Sequence, residues 1–306
     1  MRKRKGEKIN GWVIVDKQKG VGSTQVVARV KRLYNAQKAG HAGTLDPMAT
    51  GVLPVALGEA TKTIPFVTDG GKEYEFTVAF GASTDTDDAE GQITATCGKI
   101  PSEDEIRAVL PRFTGEISQV PPRYCAVHID GKRAYDLARK NADVEIPERR
   151  ITIENLEFYG MTGGEGRFKV ACSKGTYVRA LGRDIALAVG SLGCVSVLRR
   201  VKCGKFLIKD TILLEKYESF SHSEKEPLPL VPVETMLDDI PACALTEQEA
   251  ALLSNGGFLN AGTLRERTPA LADLSEDDVF CAFLNGRLTA LVRVKDGFVR
   301  PVRVIL

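Results

Sequence analysis

The chain has 306 residues, enough to bury one large hydrophobic core or one core and a smaller appended unit. Its composition, 43% hydrophobic and 27% charged, is typical of a folded globular protein, and no segment approaches the roughly 20 consecutive apolar residues of a membrane span. The first residues are basic and polar rather than apolar, which argues against a secretory signal, so we expect a cytoplasmic protein without a membrane partner.

The cysteines and histidines lack the spacing of metal ligands. None of the seven cysteines forms a CxxC pair, and the odd number favours scattered reduced thiols over a disulfide framework. The three histidines lie far apart in the sequence, whereas structural zinc sites use closely spaced His and Cys residues. We therefore expect no metal site.

Charge is segregated along the chain, although the net charge is only +2. Residues 17–45 contain six basic residues and no acidic one, and residues 123–205 contain sixteen basic residues against nine acidic ones. Residues 69–105, by contrast, are strongly acidic. Segregation of this kind is typical of a surface that binds a polyanion, although chance clustering on a solvated surface gives the same pattern.

The first 50 residues predict a strand, a helix and a loop. A short apolar run at 11–16 predicts a buried strand. Apolar residues at helical spacing predict a helix over about 24–35, which Ser23 or Thr24 could cap. Residues 37–50 are rich in Gly, Ala and Thr and lack periodicity, so we expect a loop there.

The next segment predicts a half-buried strand followed by a turn and a helix. Residues 73–80 alternate between aromatic or aliphatic and polar side chains, as a strand with one buried face does. Residues 85–91 form an acidic turn that lacks the pattern of a calcium-binding loop. Ser102 and Glu105 have the spacing of a capping box for a helix that ends near residue 113.

The middle of the chain predicts an inserted subdomain at about 118–150, with a short strand near 124–129 and a basic helix at 132–141. A further helix is predicted over about 176–189. The remaining strands predicted before residue 220 are at 51–57, 151–159, 167–173 and 194–201. Strands with interspersed helices predict an α+β fold with a mixed, largely antiparallel sheet, and we assign residues 1–220 to this catalytic domain.

A small β-rich module is predicted at the end of the chain. Residues 222–232 are polar and contain several prolines, which indicates a linker. Residues 233–306 then predict one helix and three strands, at 246–254, 279–284, 288–294 and 298–304. Residues 224–306 carry thirteen acidic residues against eight basic ones, which is unusual for a surface that binds RNA.

The segment from Gly40 to Pro54, GHAGTLDPMATGVLP, places one carboxylate in a loop of small residues. Pro47 stiffens the backbone after Asp46 and disfavours a helical conformation at Asp46. Glycines on either side would let the backbone of a ligand approach closely. An Asp-Pro pair in a loop is more often simple turn chemistry, so a catalytic role for Asp46 does not follow from these residues alone.

This segment closely resembles the signature of bacterial tRNA pseudouridine-55 synthases, and other motifs match in the same order. They are DKQKGVGST from Asp16, KEY from Lys72, STDTDDAEG from Ser83, QVPP from Gln119, SKGTYVR from Ser173 and LRR from Leu198. The matches extend over about residues 10–205, which is the whole predicted catalytic domain. The terminal module resembles a PUA-type RNA-binding domain.

The resemblance implies a role for six residues. Asp46 would be the nucleophile, and Arg179 would pair with it. Tyr74 would stack on the target base within reach of proton transfer. The resemblance further implies that His41 enters the T-loop and that the uracil pocket is lined by Tyr177 and Leu198.

The chemistry of pseudouridine formation agrees with these residue types. An ionised carboxylate can attack C1′ of the ribose or C6 of the base, or it can take the 2′ proton to give a glycal; the sequence does not separate these routes. The final step removes a proton from C5, in which Asp46 or Tyr74 could take part. No redox step or energy input is needed, so we expect no cofactor.

The resemblance leaves alternatives of different classes. The first interpretation is a stand-alone, monomeric enzyme acting on the T-arm of tRNA without an obligatory protein partner. A guide-dependent relative acting on ribosomal RNA, or a non-catalytic tRNA chaperone, would share much of the sequence pattern. A carboxylate-based hydrolase would require a second catalytic carboxylate, which the motifs do not offer.

Overall fold

The structure is a computed structural model that describes residues 6–125, 127–129, 132–133, 135, 146–221 and 228–305. Seven α-helices lie within these residues: α1 (Ser23–Leu33), α2 (Ile64–Asp69), α3 (Glu103–Val109), α4 (Val178–Ala188), α5 (Leu214–Ser221), α6 (Glu247–Ser254) and α7 (Ala261–Arg267). In this described part, no helix is long and apolar enough to cross a membrane.

The first fourteen strands are β1 (Gly11–Lys17), β2 (Ala39–His41), β3 (Thr50–Leu57), β4 (Lys72–Phe80), β5 (Ala82–Thr84), β6 (Ile93–Thr96), β7 (Gly115–Gln119), β8 (His128–Ile129), β9 (Lys132–Arg133), β10 (Arg149–Thr162), β11 (Glu165–Cys172), β12 (Gly193–Cys203), β13 (Phe206–Leu207) and β14 (Ile212–Leu213). The last five are β15 (Ala242–Ala244), β16 (Leu259–Asn260), β17 (Val279–Leu284), β18 (Arg287–Lys295) and β19 (Phe298–Val304).

A ten-stranded main sheet organises the first 213 residues. Its order is β14-β1-β3-β12-β4-β11-β10-β7, with β2 beside β3 and β13 beside β12. The pairs β1–β14 and β3–β12 are parallel, and the other pairs are antiparallel. The prediction of an α+β fold with a mixed, largely antiparallel sheet is confirmed.

The two faces of the main sheet bury two different cores. One face packs against α1, α4 and α5 and forms what we call the main core, to which Val30, Phe76, Leu181 and Tyr217 belong. The other face contributes side chains of β1 and β3 to a second cluster. Both faces of these central strands are therefore buried, which explains why their sequences are apolar without alternation.

Several predicted elements differ from the observed ones. The first helix begins at Ser23 with Gly22 at its N-cap, so neither Ser23 nor Thr24 caps it. The predicted loop at 37–50 contains strand β2, because this segment pairs with β3. The capping box of Ser102 and Glu105 is confirmed.

The predicted insertion at 118–150 lies partly outside the described residues. Its first residues form the end of β7 and pair with β10. The predicted basic helix at 132–141 is wrong at its start, because Lys132–Arg133 pairs with His128–Ile129 as a two-stranded ribbon. Residues 136–141 of that prediction lie outside the described residues.

The last 75 residues form a second sheet of order β15-β17-β18-β19-β16. Its three long strands and helix α6 confirm the prediction, whereas α5 and α7 were not predicted. This sheet packs against the main sheet. Cys281, Leu291 and Ile305 belong, with Trp12 and Ile14 of β1, to the second cluster, which we call the shared core.

Candidate active site

The segment that carries Asp46 is fixed from behind by two buried polar side chains. The hydroxyl of Ser23, at the start of α1, accepts a hydrogen bond from the backbone N–H of Leu45 at 2.9 Å and donates one to its carbonyl at 2.8 Å. The ammonium of Lys17 donates to the carbonyls of Pro47 and Val21 at 3.2 and 2.7 Å. The backbone on both sides of Asp46 is therefore held, as a preorganised catalytic group requires.

Lys17 is almost fully buried, and it lies close enough to Asp46 for the charge of that carboxylate to affect the pKa of Lys17. Burial lowers the pKa of Lys17 to about 8, and the Asp46 carboxylate opposes that shift. The ammonium therefore supplies positive charge behind the Asp46 segment at neutral pH.

Asp46 and Arg179 form an ion pair of unequal exposure. The Nε of Arg179 donates to Oδ2 of Asp46 at 2.8 Å, and the side chain of Arg179 is 4% exposed whereas that of Asp46 is 34% exposed. The cation is thus part of the protein interior, and the carboxylate is partly exposed to solvent. A charge-assisted hydrogen bond from a buried guanidinium fixes the direction of the carboxylate.

Arg179 lies in the first turn of α4, and its guanidinium has three further contacts. Nη1 donates to the carbonyl of Thr86 at 2.6 Å, and Nη2 donates to that of Tyr124 at 2.9 Å. The carboxylate of Asp88 lies 3.5 Å from Nη1. The acidic turn at 85–91, for which no role was predicted, therefore forms one wall of the Arg179 site.

Tyr177 precedes α4 and is held by Gln119 of β7. The side chain of Gln119 is buried, accepts from the backbone N–H of Tyr177 at 2.9 Å and donates to its carbonyl at 3.1 Å. Burial raises the pKa of Tyr177 to about 12, with the neighbouring Cys125 and Asp46 contributing. The phenol stays neutral at physiological pH and lies within electrostatic reach of Asp46.

Tyr74, on β4, is 7% exposed, and its side chain belongs to the main core. Its cross-strand partner on β12 is Arg200, whose charge acts on the Tyr74 phenol. Burial raises the pKa of Tyr74 to about 12, and the charge of Arg200 works against that rise. Leu198, two residues earlier on β12, is 6% exposed and also packs in the main core.

His41 lies at the end of β2, opposite Val55 of β3, rather than in an irregular loop. Burial lowers its pKa, and the charge of Arg200 lowers it further, so the imidazole is neutral at physiological pH. Its Nδ1 has no hydrogen-bond partner in the described part of the chain. Because this nitrogen is also buried, the structure does not expose it to a ligand.

The glycines of this segment serve the protein's own packing, which corrects the expectation that they admit a ligand backbone. A Cβ on Gly51 would lie 2.2 Å from the carbonyl oxygen of Arg200, so Gly51 allows β3 and β12 to approach closely. A Cβ on Gly43 would lie 3.4 Å from Nη1 of the same arginine. Both glycines also have a positive φ, near 100°.

Sequence reasoning assigned no role to Lys17, Gln119, Asp88 or Arg200. Each belongs to one of the matching motifs, so the motifs contained the signal, but a burial of this degree cannot be predicted from residue type. Among the described residues, no group of three or more His, Cys, Asp or Glu side chains could hold a metal ion. Around Asp46, the described residues place the Arg179 guanidinium, the Lys17 ammonium and the Tyr177 phenol.

Comparison with known proteins identifies the family of the chain. Residues 31–178 match the family model described as TruB family pseudouridylate synthase, N-terminal domain. The chain is 45% identical to the tRNA pseudouridine synthase B of Rhodospirillum rubrum, over 99% of both chains. It is 44% identical to the enzyme of the same name from Caulobacter vibrioides, over 99% of this chain and 98% of the relative.

Two solved structures share the fold over 97% of the chain. A Cbf5-Nop10-Gar1 complex is 27% identical with a TM-score of 0.71, and the match covers 85% of that chain. An H/ACA RNP bound to a substrate RNA containing 2′-deoxyuridine has the same TM-score and coverage at 25% identity. Since relatives at 44–45% identity match nearly the whole chain, the protein belongs to the TruB family of pseudouridylate synthases and is an isomerase.

Proposed function

We propose that this enzyme converts uridine to pseudouridine at position 55 in the T-loop of tRNA, with Asp46 as the nucleophile after the base has been flipped out. The relatives named tRNA pseudouridine synthase B support tRNA as the substrate. The observation that carries the proposal is the pairing of a partly exposed carboxylate, Asp46, with a buried guanidinium, Arg179, at 2.8 Å. This pairing orients the nucleophile and leaves it accessible to RNA.

The reaction breaks the N1–C1′ bond, rotates the uracil and joins C5 to C1′. The carboxylate attacks C1′ or C6, or removes the 2′ proton; all three routes start from the same ionised Asp46. Tyr74 stacks on the base within reach of the C5 proton. Tyr177 and Leu198 line the uracil pocket, and no cofactor is required.

When the base is flipped out, contacts within the T-loop are lost and contacts between the protein and the RNA replace them. Unstacking a T-loop uridine costs a few kcal/mol, and contacts of basic side chains with phosphates offset that cost. Of the two basic segments, residues 17–45 end directly before Asp46, and residues 123–205 contain Arg179. We infer that His41, which lies five residues before Asp46, takes the place of contacts that the T-loop loses.

A guide-dependent activity on ribosomal RNA is the alternative that the structural neighbours suggest. Those neighbours are 25–27% identical, whereas the tRNA pseudouridine synthase B relatives are 44–45% identical over the whole length. We therefore infer that the enzyme acts on tRNA without a guide RNA or a protein partner.

The test is to incubate the purified protein with an unmodified tRNA transcript and to map pseudouridine at single-nucleotide resolution. We expect one pseudouridine at position 55, formed without guide RNA, and none in a transcript with cytidine at that position. Asp46→Asn keeps the shape of the side chain but removes the nucleophile, so turnover should be abolished while tRNA affinity changes little. Product formation within about tenfold of the wild type would contradict the role of Asp46.

A further inference from the structure

Arg200 is a buried cation that the proposed reaction does not yet use. It is 1% exposed, its Nε donates to the carbonyl of Val52 at 2.8 Å, and its Nη2 donates to that of Gly43 at 3.1 Å. Tyr74 is its cross-strand partner on β4, and the guanidinium lies close enough for its charge to act on the Tyr74 phenol. Burial of a charge is costly unless specific partners compensate for it, so these contacts have to be strong and well directed.

The three partners of Arg200 lie on different parts of the site. Gly43 is three residues before Asp46, Val52 lies on β3, and Tyr74 lies on β4. One rigid guanidinium thus connects the nucleophile segment with the aromatic residue proposed to contact the base. The planar fork of an arginine can hold such an arrangement in one geometry, whereas a flexible ammonium cannot.

The preceding residue, Arg199, has the opposite environment. It is partly exposed, and its guanidinium makes two hydrogen bonds to the carboxylate of Asp16, at 3.1 and 2.8 Å. It also contacts the hydroxyl of Thr50 at 3.2 Å. Arg199 is therefore paired in the usual way, and it offers a matched control for its buried neighbour.

We propose that Arg200 is a positioning residue for the isomerisation: its fixed guanidinium sets the position of the Tyr74 phenol relative to the Asp46 segment. The proposal rests on the proposed function in that Tyr74 is taken to contact the base. Arg200 itself acts through Tyr74 and does not touch the RNA.

The charge of Arg200 also favours ionisation of Tyr74. Burial raises the pKa of that phenol, Cys172 and Cys203 add to the rise, and Arg200 opposes it. The other basic groups near Arg200 are Lys17, His41 and Lys72, and burial lowers the pKa of each. A guanidinium stays protonated at every relevant pH, so the support that it gives to a developing phenolate does not vary.

If Arg200 had a purely structural role, its substitution would also reduce activity. The test therefore measures the ionisation of the Tyr74 phenol itself. A fluorinated tyrosine replaces Tyr74, which brings the titration of the phenol into the range where the protein is folded, and the ionisation is followed by fluorine NMR. In Arg200→Gln the pKa of this group should rise by about one unit or more, because a positive charge close to the phenol is lost. Arg199→Gln should leave it unchanged.

Arg200→Lys provides a second variant that keeps the charge but loses the fork. We expect single-turnover rates on tRNA to fall more than about tenfold, with the affinity for tRNA within about twofold of the wild type. Arg199→Lys should retain the wild-type rate. If Arg200→Gln does not fold, the same titration is carried out in Arg200→Lys, where the phenol should still show an altered fluorine resonance.

Two results would overturn the proposal: an unchanged titration and resonance of the phenol in a folded Arg200 variant, or a wild-type rate in Arg200→Lys. Failure of the proposed function looks different. If Tyr74→Phe turned over tRNA normally, Tyr74 would not act in the reaction, yet the NMR experiment would still report whether Arg200 holds the phenol.

Discussion

At the scale of single residues, the unequal solvent exposure of Asp46 and Arg179 determines which substitutions each position can accommodate. The guanidinium of Arg179 has four hydrogen-bond or ion-pair partners and is nearly inaccessible to water. Removal of any of its N–H donors leaves a buried carbonyl or carboxylate without its partner. The carboxylate of Asp46, by contrast, keeps access to solvent when its partner is altered.

Arg179→Lys should therefore reduce single-turnover rates by at least about 100-fold, because one ammonium cannot contact Asp46, Thr86 and Tyr124 together. Rapid-quench measurement of pseudouridine formation would establish the rate. Arg183→Lys serves as the control, since Arg183 lies one turn later on α4 and pairs with Asp87 and Asp184. An unchanged rate for Arg179→Lys would show that Arg179 is not the functional partner of Asp46.

His41→Ala should impair exposure of the uridine more than the chemical step. His41 lies five residues before Asp46, and its neutral imidazole can stack on displaced nucleotides or form hydrogen bonds with them. A short, destabilised stem-loop has little stacking left to break, so it should restore much of the lost rate. Equal rates of the variant on folded tRNA and on the weakened hairpin would instead indicate that His41 only maintains β2.

At the scale of elements, α4 carries Arg179 of the site, and β7 fixes the residue at which α4 begins. Gln119→Met removes both hydrogen bonds to the backbone of Tyr177 without changing the side-chain volume much. We expect a loss of about 1–3 kcal/mol in the free energy of unfolding, measured with urea, because a buried N–H loses its partner. Gln18→Met, at an exposed position, should cost less than about 0.5 kcal/mol. Equal stabilities of the two variants would contradict this account.

Elements with strong periodicity could be predicted from the sequence, whereas those defined by pairing could not. β4 alternates in burial from Lys72 to Phe80, and its boundaries differ from the predicted ones by one residue. β7 and β2 have no such pattern, because their identity as strands comes from hydrogen bonds to β10 and β3. Residues 132–133 have helix-forming neighbours, but a local ribbon with 128–129 outweighs that propensity.

The residues of the candidate site could also be predicted only in part from the sequence. The family resemblance named Asp46 and Arg179, and the structure brings the two side chains to 2.8 Å. It named Leu198 in the motif LRR but gave no role to the last arginine of that motif, Arg200. Arg199 and Arg200 are adjacent on β12 and lie opposite Glu75 and Tyr74 of β4, so their side chains point to opposite faces of the strand; the sequence does not reveal which face is covered.

At the scale of the whole molecule, the shared core joins the last sheet to the main sheet. Trp12 is fully buried there, and its backbone exchanges two hydrogen bonds with Val231, at 2.7 and 2.8 Å. The division into a catalytic domain of residues 1–220 and a module of residues 233–306 stays a prediction about sequence organisation. The packing indicates that the two units unfold together.

Leu291→Ala tests this coupling. Leu291 is fully buried in the shared core, so its truncation should cost about 2–5 kcal/mol, and the unfolding transition followed by the fluorescence of Trp12, the only tryptophan, should shift with it. Leu252→Ala, at a position that is 47% exposed, should have little effect. A Trp12 transition that does not move with Leu291→Ala would mean that the two sheets unfold independently.

The shared core also has a consequence for biosynthesis. The buried side chains of the main core come from residues up to Tyr217, so the half of the molecule that carries Asp46 and Arg179 can assemble on a nascent chain. Trp12 and Ile14 belong to the first strand to leave the ribosome, yet their partners include Ile305. This apolar strip therefore stays uncovered throughout translation, which makes the unfinished chain prone to aggregation. A product that terminates before β17 would keep every proposed active-site residue and still expose this strip, so it would be a substrate for chaperones and proteases.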